Sequence, residues 1–461
     1  MNGQMDQSTA GDPVAKGRPR VVIIGGGFAG VACAVKLAKS GDVAITLVDR
    51  LDYHQFQPLL YQVATYQLAS ADVAYPLSEV SRHHGGLEVL RTEVTSIDPA
   101  RRVVRTADGH EIRADYLVLA AGSQAFFFGT PGAPEHTIPL YSLDDALRLR
   151  RRILALFDAS NDDPSVMDAG ALEFVVVGGG PTGVEVSGAL AQMIETTMRS
   201  AFPPAVVDRA HVTLVDHGSA LLKAFSEKSG DYAAGVLVKD GVELRLGVGV
   251  TGVEPGHVTL SDGTSLATRC IVWGGGIQAA PLAAASGLPQ GHGGRIDVRP
   301  DLTVDGFDGV YAIGDVANIP GHDGHSLPQL GSVAQQSGGW AGKNIRHDIA
   351  GKPREPFRYL DKGIMAMIGR GAAVAEVGDH HGLHGKIAFA AWLGVHSALM
   401  SGFQNRLDAF VDWAWDYFGG HGARPLDRTD EPVIDWDDDI DAPAHATDGT
   451  SDPAPVAATP V

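Results

Sequence analysis

The residues whose types and spacing speak most directly of chemistry are two sets of glycines. Gly25-x-Gly27-x-x-Gly30 and Gly178-x-Gly180-x-x-Gly183 each follow a short apolar run, Arg20-Val-Val-Ile-Ile24 in one case and Glu173-Phe-Val-Val-Val177 in the other. Each precedes a helical pattern, expected over 31–40 and over 184–196. A second apolar run then ends on an acid, Asp49 after Ala44-Ile-Thr-Leu-Val48 and Asp216 after His211-Val-Thr-Leu-Val215. In such a unit the first glycine allows a tight turn, and the second lets backbone N–H groups reach a pyrophosphate. The third lets helix and strand pack closely, and the positive helix N-terminus faces the phosphates. The acid accepts hydrogen bonds from ribose hydroxyls. A glycine turn without a ligand would need no strand, helix and acid in register.

Two such units in one chain are an internal duplication and imply two dinucleotides, one a resident flavin and the other a diffusible nicotinamide. Asp216 would repel a 2′-phosphate, so the second site favours NADH over NADPH. Three further apolar strands run into small residues suited to close backbone passage over a cofactor. They are Tyr116-Leu-Val-Leu-Ala-Ala-Gly122, Ile271-Val-Trp-Gly-Gly-Gly276 and Val310-Tyr-Ala-Ile-Gly-Asp315, the last ending in a carboxylate suited to a ribityl chain. Glu185, one turn into the second helix, has two readings of equal weight. It is a favourable charge near a helix N-terminus, or it faces the nicotinamide.

These elements sit in a chain of 461 residues, long enough for two or three domains, with 44% hydrophobic and 20% charged residues as in soluble globular proteins. Net charge is −19, which argues against a nucleic-acid partner. Nine of the acids lie from Asp430 onward, where there is no Lys or Arg, so the rest of the chain carries a net −10. Residues 1–18 and 428–461 read as disordered, and Met1–Arg18 has no signal-peptide core. Asp108-Gly109 and Asp262-Gly263 mark hairpin turns. Cys33 and Cys270 fall in a predicted helix and a predicted strand, as small buried hydrophobes with no metal or redox spacing. His380-His381-x-x-His384 lacks a set of partners for a metal and reads as a polar loop; no metal site is expected. Ile387–Phe403 runs 17 residues without Asp, Glu, Lys or Arg, short of a span and interrupted by polar residues and glycine. It reads as an interfacial helical hairpin, with Lys386 and Arg406 near headgroups; a buried dimer helix is the alternative.

An ordered set of motifs gives the chain a resemblance to the two-dinucleotide-domain flavoproteins, and most closely to the type II NADH dehydrogenases. The set is His54-Gln-Phe-Gln-Pro-Leu-Leu-Tyr-Gln-Val-Ala64, Phe174-Val-Val-Val-Gly-Gly-Gly-Pro-Thr-Gly-Val-Glu-Val186, Tyr311-Ala-Ile-Gly-Asp315 and Tyr359-Leu-Asp-Lys-Gly363. The resemblance covers about Arg20 to Gly419. It implies an α/β fold of two Rossmann-like domains, with an NADH domain (146–285) inserted into an FAD domain (19–145 and 286–355). A C-terminal amphipathic helical membrane-association region (356–420) follows. By position, Gly25, Gly27, Gly30, Asp49, Gly122, Asp315 and Ala334 would hold non-covalent FAD. Gly178, Gly180, Pro181, Thr182, Gly183, Asp216 and Gly276 would hold NADH, with Glu185 near the nicotinamide and Lys362 near the flavin's pyrimidine edge. The family's quinone-side Ala-Gln-x-Ala-x-Gln falls on Gly331-Ser-Val-Ala-Gln-Gln336, so Ser332 stands where the first Gln is expected and cannot reach as far.

The implied reaction passes hydride from NADH to flavin N5 and then two electrons to a membrane quinone, menaquinone or ubiquinone, beside Ser332 and Gln336. The implied setting is a homodimer on the cytoplasmic face of the membrane. Sulfide:quinone and disulfide reductases need paired cysteines that Cys33 and Cys270 do not supply. A soluble NADH-dependent reductase of a ferredoxin- or rubredoxin-type protein, and a flavin-based NADH sensor, are the competing functions.

Overall fold

A computed structural model describes residues 17–321, 324–378, 381–400, 407–409, 411 and 413. The readings made on most of 1–18, on His380, on most of 401–420 and on 428–461 lie outside the described residues. The elements that matter for the site begin with β1 (Arg20–Ile24), α1 (Phe28–Ala38), β2 (Ala44–Asp49), β3 (Leu87–Arg91) and β4 (Tyr116–Leu119). Next come β5 (Ile138–Pro139), α2 (Leu143–Asp162), β6 (Glu173–Val177), α3 (Pro181–Met193), β7 (His211–Asp216), β8 (Val242–Leu246) and β9 (Cys270–Trp273). The last are β10 (Val310–Ala312), α4 (Gly331–Ile349), β11 (Ile364–Gly369), β12 (Ala372–Val377), β13 (His381–His384) and α5 (Lys386–Leu399).

Two parallel sheets repeat one plan. The first has the order β10-β4-β1-β2-β3 and the second β5-β9-β6-β7-β8. The central strands are continuous apolar runs because both faces are covered: Val21, Val22, Ile23, Phe174, Val175 and Val176 are fully buried. The duplication extends further. Each sheet is accompanied by a three-stranded antiparallel meander whose second turn is an Asp-Gly, with Gly109 at φ +84° and Gly263 at φ +85°. Chain exit from and return to the first unit form a ribbon, Ser123–Ala125 paired antiparallel with Ile277–Ala279. Ile138 and Pro139 of β5 pair with Val272 and Trp273 of β9 at the edge of the second sheet.

Both turn helices start earlier than the periodicity predicts. α1 begins at Phe28 and α3 at Pro181, with Gly27 and Gly180 as their N-caps, so the turn glycines belong to the helix ends. α3 stops at Met193 and passes into a π-helical turn, Ile194–Met198.

Glycines bring later elements against these helices. A Cβ on Gly338 of α4 would lie 2.0 Å from the Ala29 carbonyl oxygen of α1, and one on Gly188 of α3 would lie 1.6 Å from the Ile368 carbonyl oxygen of β11. The segment containing His381–His384, read from sequence as a polar loop, is the strand β13. It pairs with β12, so its backbone groups are used in a ladder. α5 packs Ala388 and Trp392 into the core, both fully buried. The contrast between neighbouring glycines of α4 is testable. Gly338→Ala should lower stability by roughly 1–3 kcal/mol through backbone overlap. Gly339→Ala, which meets nothing within 4 Å, should leave the melting temperature unchanged or raised. Equal melting temperatures for the two variants would refute this packing.

Candidate active site

The first turn is built from backbone contacts. Gly25 has φ +110°, its N–H donates to the Val48 carbonyl at 2.8 Å, and a Cβ there would fall 2.2 Å from the Ala120 carbonyl oxygen. A Cβ on Gly30 would fall 1.8 Å from the Gly25 carbonyl oxygen. The second turn matches it: Gly178 has φ +112°, its N–H donates to Val215 at 2.8 Å, and a Cβ on Gly183 would lie 1.8 Å from the Gly178 carbonyl oxygen. The middle glycines differ in kind. A Cβ on Gly27 or Gly180 would meet nothing within 4 Å, so no contact inside the protein requires glycine there. Their position at a helix N-terminus, open to approach, fits a pyrophosphate.

The two acids also match. Asp49 accepts from the Gly26 N–H at 2.5 Å and the Leu51 N–H at 2.8 Å; Asp216 accepts from Gly179 at 2.7 Å and Gly218 at 2.6 Å. Each carboxylate thus fixes its turn, and each oxygen keeps a lone pair for a ribose hydroxyl. Below the first turn, buried His54 holds the Gly26 carbonyl through Nδ1 at 3.0 Å and meets the Phe28 ring edge-on at 5.0 Å. Burial lowers its pKa, which keeps the ring neutral beside the turn.

Asp315 sits where β10 ends, and its carboxylate accepts from Ser123 Oγ at 2.9 Å; Ser123 Oγ and the Tyr141 hydroxyl are 2.5 Å apart. Burial raises the Asp315 pKa. Gly122, at φ +73°, would bring a Cβ to 3.8 Å from the Tyr141 hydroxyl. Ser123 and Tyr141 carry no motif of their own and were not singled out in the sequence. Only the proximity of Ser123 to Gly122 hinted at them.

Glu185 points from α3 toward β11. The carboxylate is partly buried in α3 and accepts from the Met367 N–H of β11 at 3.1 Å, with buried Tyr61 within its field. Burial pushes its pKa from 4.5 up to about 8. A simple helix-terminus charge would stay ionised and face water. Close by, fully buried Gln62 donates to the Tyr61 hydroxyl at 3.1 Å and accepts from Trp413 Nε1 at 2.8 Å.

At the start of α4, Ser332 Oγ lies 2.9 Å from the Tyr359 hydroxyl. Gln336 spends both ends of its amide on one residue: Nε2 donates to the Leu360 carbonyl at 3.0 Å and Oε1 accepts from the Leu360 N–H at 3.0 Å. These contacts clamp the loop that carries Lys362, which is exposed. Gln336 is therefore committed to backbone here, and Ser332 has the Tyr359 hydroxyl as its partner. Gln335 is exposed, and Ala334 is buried against Gly314, 3.5 Å from where a Cβ of that glycine would be. Beyond β9, Gly276 packs under the ring of Phe128. Cys33 and Cys270 are free and buried, with thiols pushed up to about 12, so neither is a nucleophile at neutral pH. His384 lies 3.0 Å from Ser229 Oγ through Nε2. Among the described residues no cluster of three or more His, Cys, Asp or Glu could hold a metal.

Against known proteins, the family profile of pyridine nucleotide-disulphide oxidoreductases matches residues 19–338. The type II NADH:quinone oxidoreductase Ndh of Mycobacterium tuberculosis is 39% identical over 412 residues, 86% of this chain and 87% of its own. The type II NADH:quinone oxidoreductase of Staphylococcus aureus is 30% identical over 379 residues, 79% of this chain and 91% of its own. The structure of Plasmodium falciparum NDH2 in complex with NADH is similar in fold, with a TM-score of 0.80 at 19% identity, over 88% of this chain and all of that one.

Glu185 gives a pH prediction. Its raised pKa means the folded chain holds a proton that the unfolded chain releases between 4.5 and about 8. Stability therefore falls as pH rises through that window. Melting curves of the wild type and Glu185→Gln should diverge across it, the wild type losing stability relative to the variant. A constant difference at every pH would contradict the raised pKa of Glu185.

Proposed function

The chain belongs to the pyridine nucleotide-disulphide oxidoreductase family and, within it, to the type II NADH:quinone oxidoreductases, and from that premise we infer how its residues carry electrons from NADH to quinone. The observation that carries this reading is the duplicated glycine turn, each copy with an open middle glycine and an acid bonded to the turn. We propose that the first copy holds FAD non-covalently through Gly25, Gly27, Gly30 and Asp49, with Gly122, Asp315 and Ala334 along its length. Ser123 and Tyr141 orient the Asp315 carboxylate toward a hydroxylated chain. When bound, FAD supplies the hydride acceptor and the two-electron store.

The second copy takes NADH on Gly178, Gly180, Pro181, Thr182 and Gly183, with Asp216 on the adenosine ribose. The chain aligns the donor and keeps water out rather than performing acid–base chemistry on it. Burial, which pushes the Glu185 pKa up to about 8, favours the neutral carboxyl beside the nicotinamide and close to Tyr61. On the acceptor side, the Ser332–Tyr359 hydroxyl pair offers hydrogen bonds to a quinone carbonyl. Gln336 acts through the Leu360 backbone, holding the loop from which Lys362 presents its cation to the reduced flavin's pyrimidine edge.

The membrane contact belongs to α5. Its outer side exposes Ile387, Ala390, Gly394, Val395, Ala398 and Leu399 while Trp392 anchors the inner side. No helix among the described residues is long and apolar enough to cross a membrane, which suits a helix lying on the bilayer surface. We place the enzyme, as a homodimer, at the cytoplasmic face.

Anaerobic titration and stopped-flow reoxidation test this reading. NADH should reduce the flavin much faster than NADPH, and menaquinone or ubiquinone analogues should reoxidise it within a turnover. NADH reduction followed by no reoxidation from either quinone would overturn the assignment of the acceptor. Asp216→Asn removes the charge that repels a 2′-phosphate while keeping an acceptor oxygen. It should raise NADPH use relative to NADH by about tenfold in kcat/KM. For the membrane face, Ile387→Glu combined with Val395→Glu should reduce sedimentation with phospholipid vesicles while NADH reduction of the flavin persists. Unchanged sedimentation would remove α5 from the membrane contact.

A further inference from the structure

Five described residues other than glycine hold a positive φ: Tyr66, Arg102, Phe128, Leu222 and Leu302. Such a backbone is strained for a bulky side chain and persists only where surroundings enforce it. In four cases the compensation is visible. Tyr66, Leu222 and Leu302 are buried at 6%, 1% and 0% exposure, and Arg102 donates Nη1 to the Asp308 carbonyl at 2.8 Å. Phe128 is 60% exposed. It is the first central residue of a turn closed by the Thr130 N–H donating to the Phe127 carbonyl at 2.9 Å, with φ +55° at Phe128 and φ +71° at Gly129. A turn with positive φ at both central positions ordinarily takes Asn, Asp or Gly first. Phenylalanine there is unfavourable both to its own backbone and to the water around its ring.

The turn is held firmly in place. The Phe126 N–H donates to the Gly276 carbonyl at 3.0 Å, Trp273 Nε1 donates to the Phe126 carbonyl at 2.9 Å, and the Phe127 and Trp273 rings are 5.5 Å apart. The Phe128 ring stands over Gly276, where a Cβ would come within 3.0 Å of its Cζ, and 4.4 Å from the Phe126 ring. Gly276 lies just past the carboxyl end of β9. That strand flanks β6 on the side opposite β7, whose end carries Asp216. In a doubly wound sheet a dinucleotide lies across the carboxyl ends of the strands, with its pyrophosphate at the helix N-terminus. With the adenosine ribose on Asp216, the other half must run over the end of β9, across Gly274–Gly276.

We propose that Phe128 is an NADH-binding residue whose ring, raised over Gly276, packs against the nicotinamide–ribose half of the dinucleotide. The proposal rests on the second turn being the NADH site. An aromatic face at that point adds apolar contact and stacking to a planar ring, and it acts on the bound ground state and the transition state alike. Its loss should appear in KM and not in kcat.

Three variants test it in the FAD-loaded enzyme. Phe128→Asn suits the turn and deletes the ring, so it should retain FAD and melt no lower than wild type while raising KM for NADH about three- to tenfold. Phe128→Ala should raise KM similarly, and Phe128→Tyr should stay within about twofold of wild type. In each variant kcat should hold within about twofold. KM for NADH unchanged in Phe128→Asn and Phe128→Ala would overturn the proposal, as would Phe128→Tyr behaving like Phe128→Asn. A wild-type flavin that NADH fails to reduce would instead overturn the underlying reading of the second site.

Discussion

The rest of the structure depends on one short contact made twice, the first glycine's carbonyl oxygen lying against the third glycine's Cα. A Cβ on Gly30 or Gly183 would be 1.8 Å from that oxygen, so only glycine lets strand, turn and helix close on themselves. That closure points each helix N-terminus at the carboxyl edge of its sheet. It also presents α1 and α3 as surfaces on which later elements can settle by the same means. Gly338 sets α4 on α1, and Gly188 sets α3 on β11. Ser332, Gln336 and the loop bearing Lys362 reach the first unit only because α4 comes so near.

What was legible in the sequence is what such local closure dictates. The turns, their acids, the strands on either side and the Asp-Gly hairpins all follow from spacings of a few residues up to the 37 between Gly179 and Asp216. The contacts that complete the site do not. Ser123 and Asp315 are 192 positions apart and Glu185 and Met367 are 182 apart, and no local pattern links them. The pairing of Gln336 with Leu360 was hidden for another reason: a glutamine amide matches a backbone N–H and C=O as well as it matches a ligand, and only the fold decides which it meets. The helix starts were misplaced by three residues for a physical reason as well. Phe28 and Pro181 fall inside the glycine motif, where apolar periodicity is silent and capping geometry decides.

Ser332 shows how a departure from a motif can be absorbed. A serine in place of glutamine removes reach but not hydrogen-bonding capacity. The Tyr359 hydroxyl at 2.9 Å extends that capacity from a neighbouring segment, and Gln336 fixes the same segment one residue later. The acceptor side proposed for the site is thus a two-segment construction, α4 and the loop before β11, held together by these contacts. Its polar groups are paired among themselves, which lowers the cost of a partly apolar setting suited to a quinone ring.

The two copies of the dinucleotide unit share the close contacts of their first and third glycines, yet they are surrounded differently. Position by position, Phe28 and Ala29 in the first correspond to Pro181 and Thr182 in the second. Ala29 is buried beneath Gly314, Ala334 and Gly338, and Phe28 meets His54 and Phe56 edge-on. Pro181 and Thr182 are both exposed. The start of the first helix is thus covered by later elements, and the start of the second is left open at Pro181 and Thr182. That asymmetry is what a chain needs if it keeps one dinucleotide and turns over another. It comes not from the glycine motif, which is the same in both copies, but from α4 packing on the helix behind one of them.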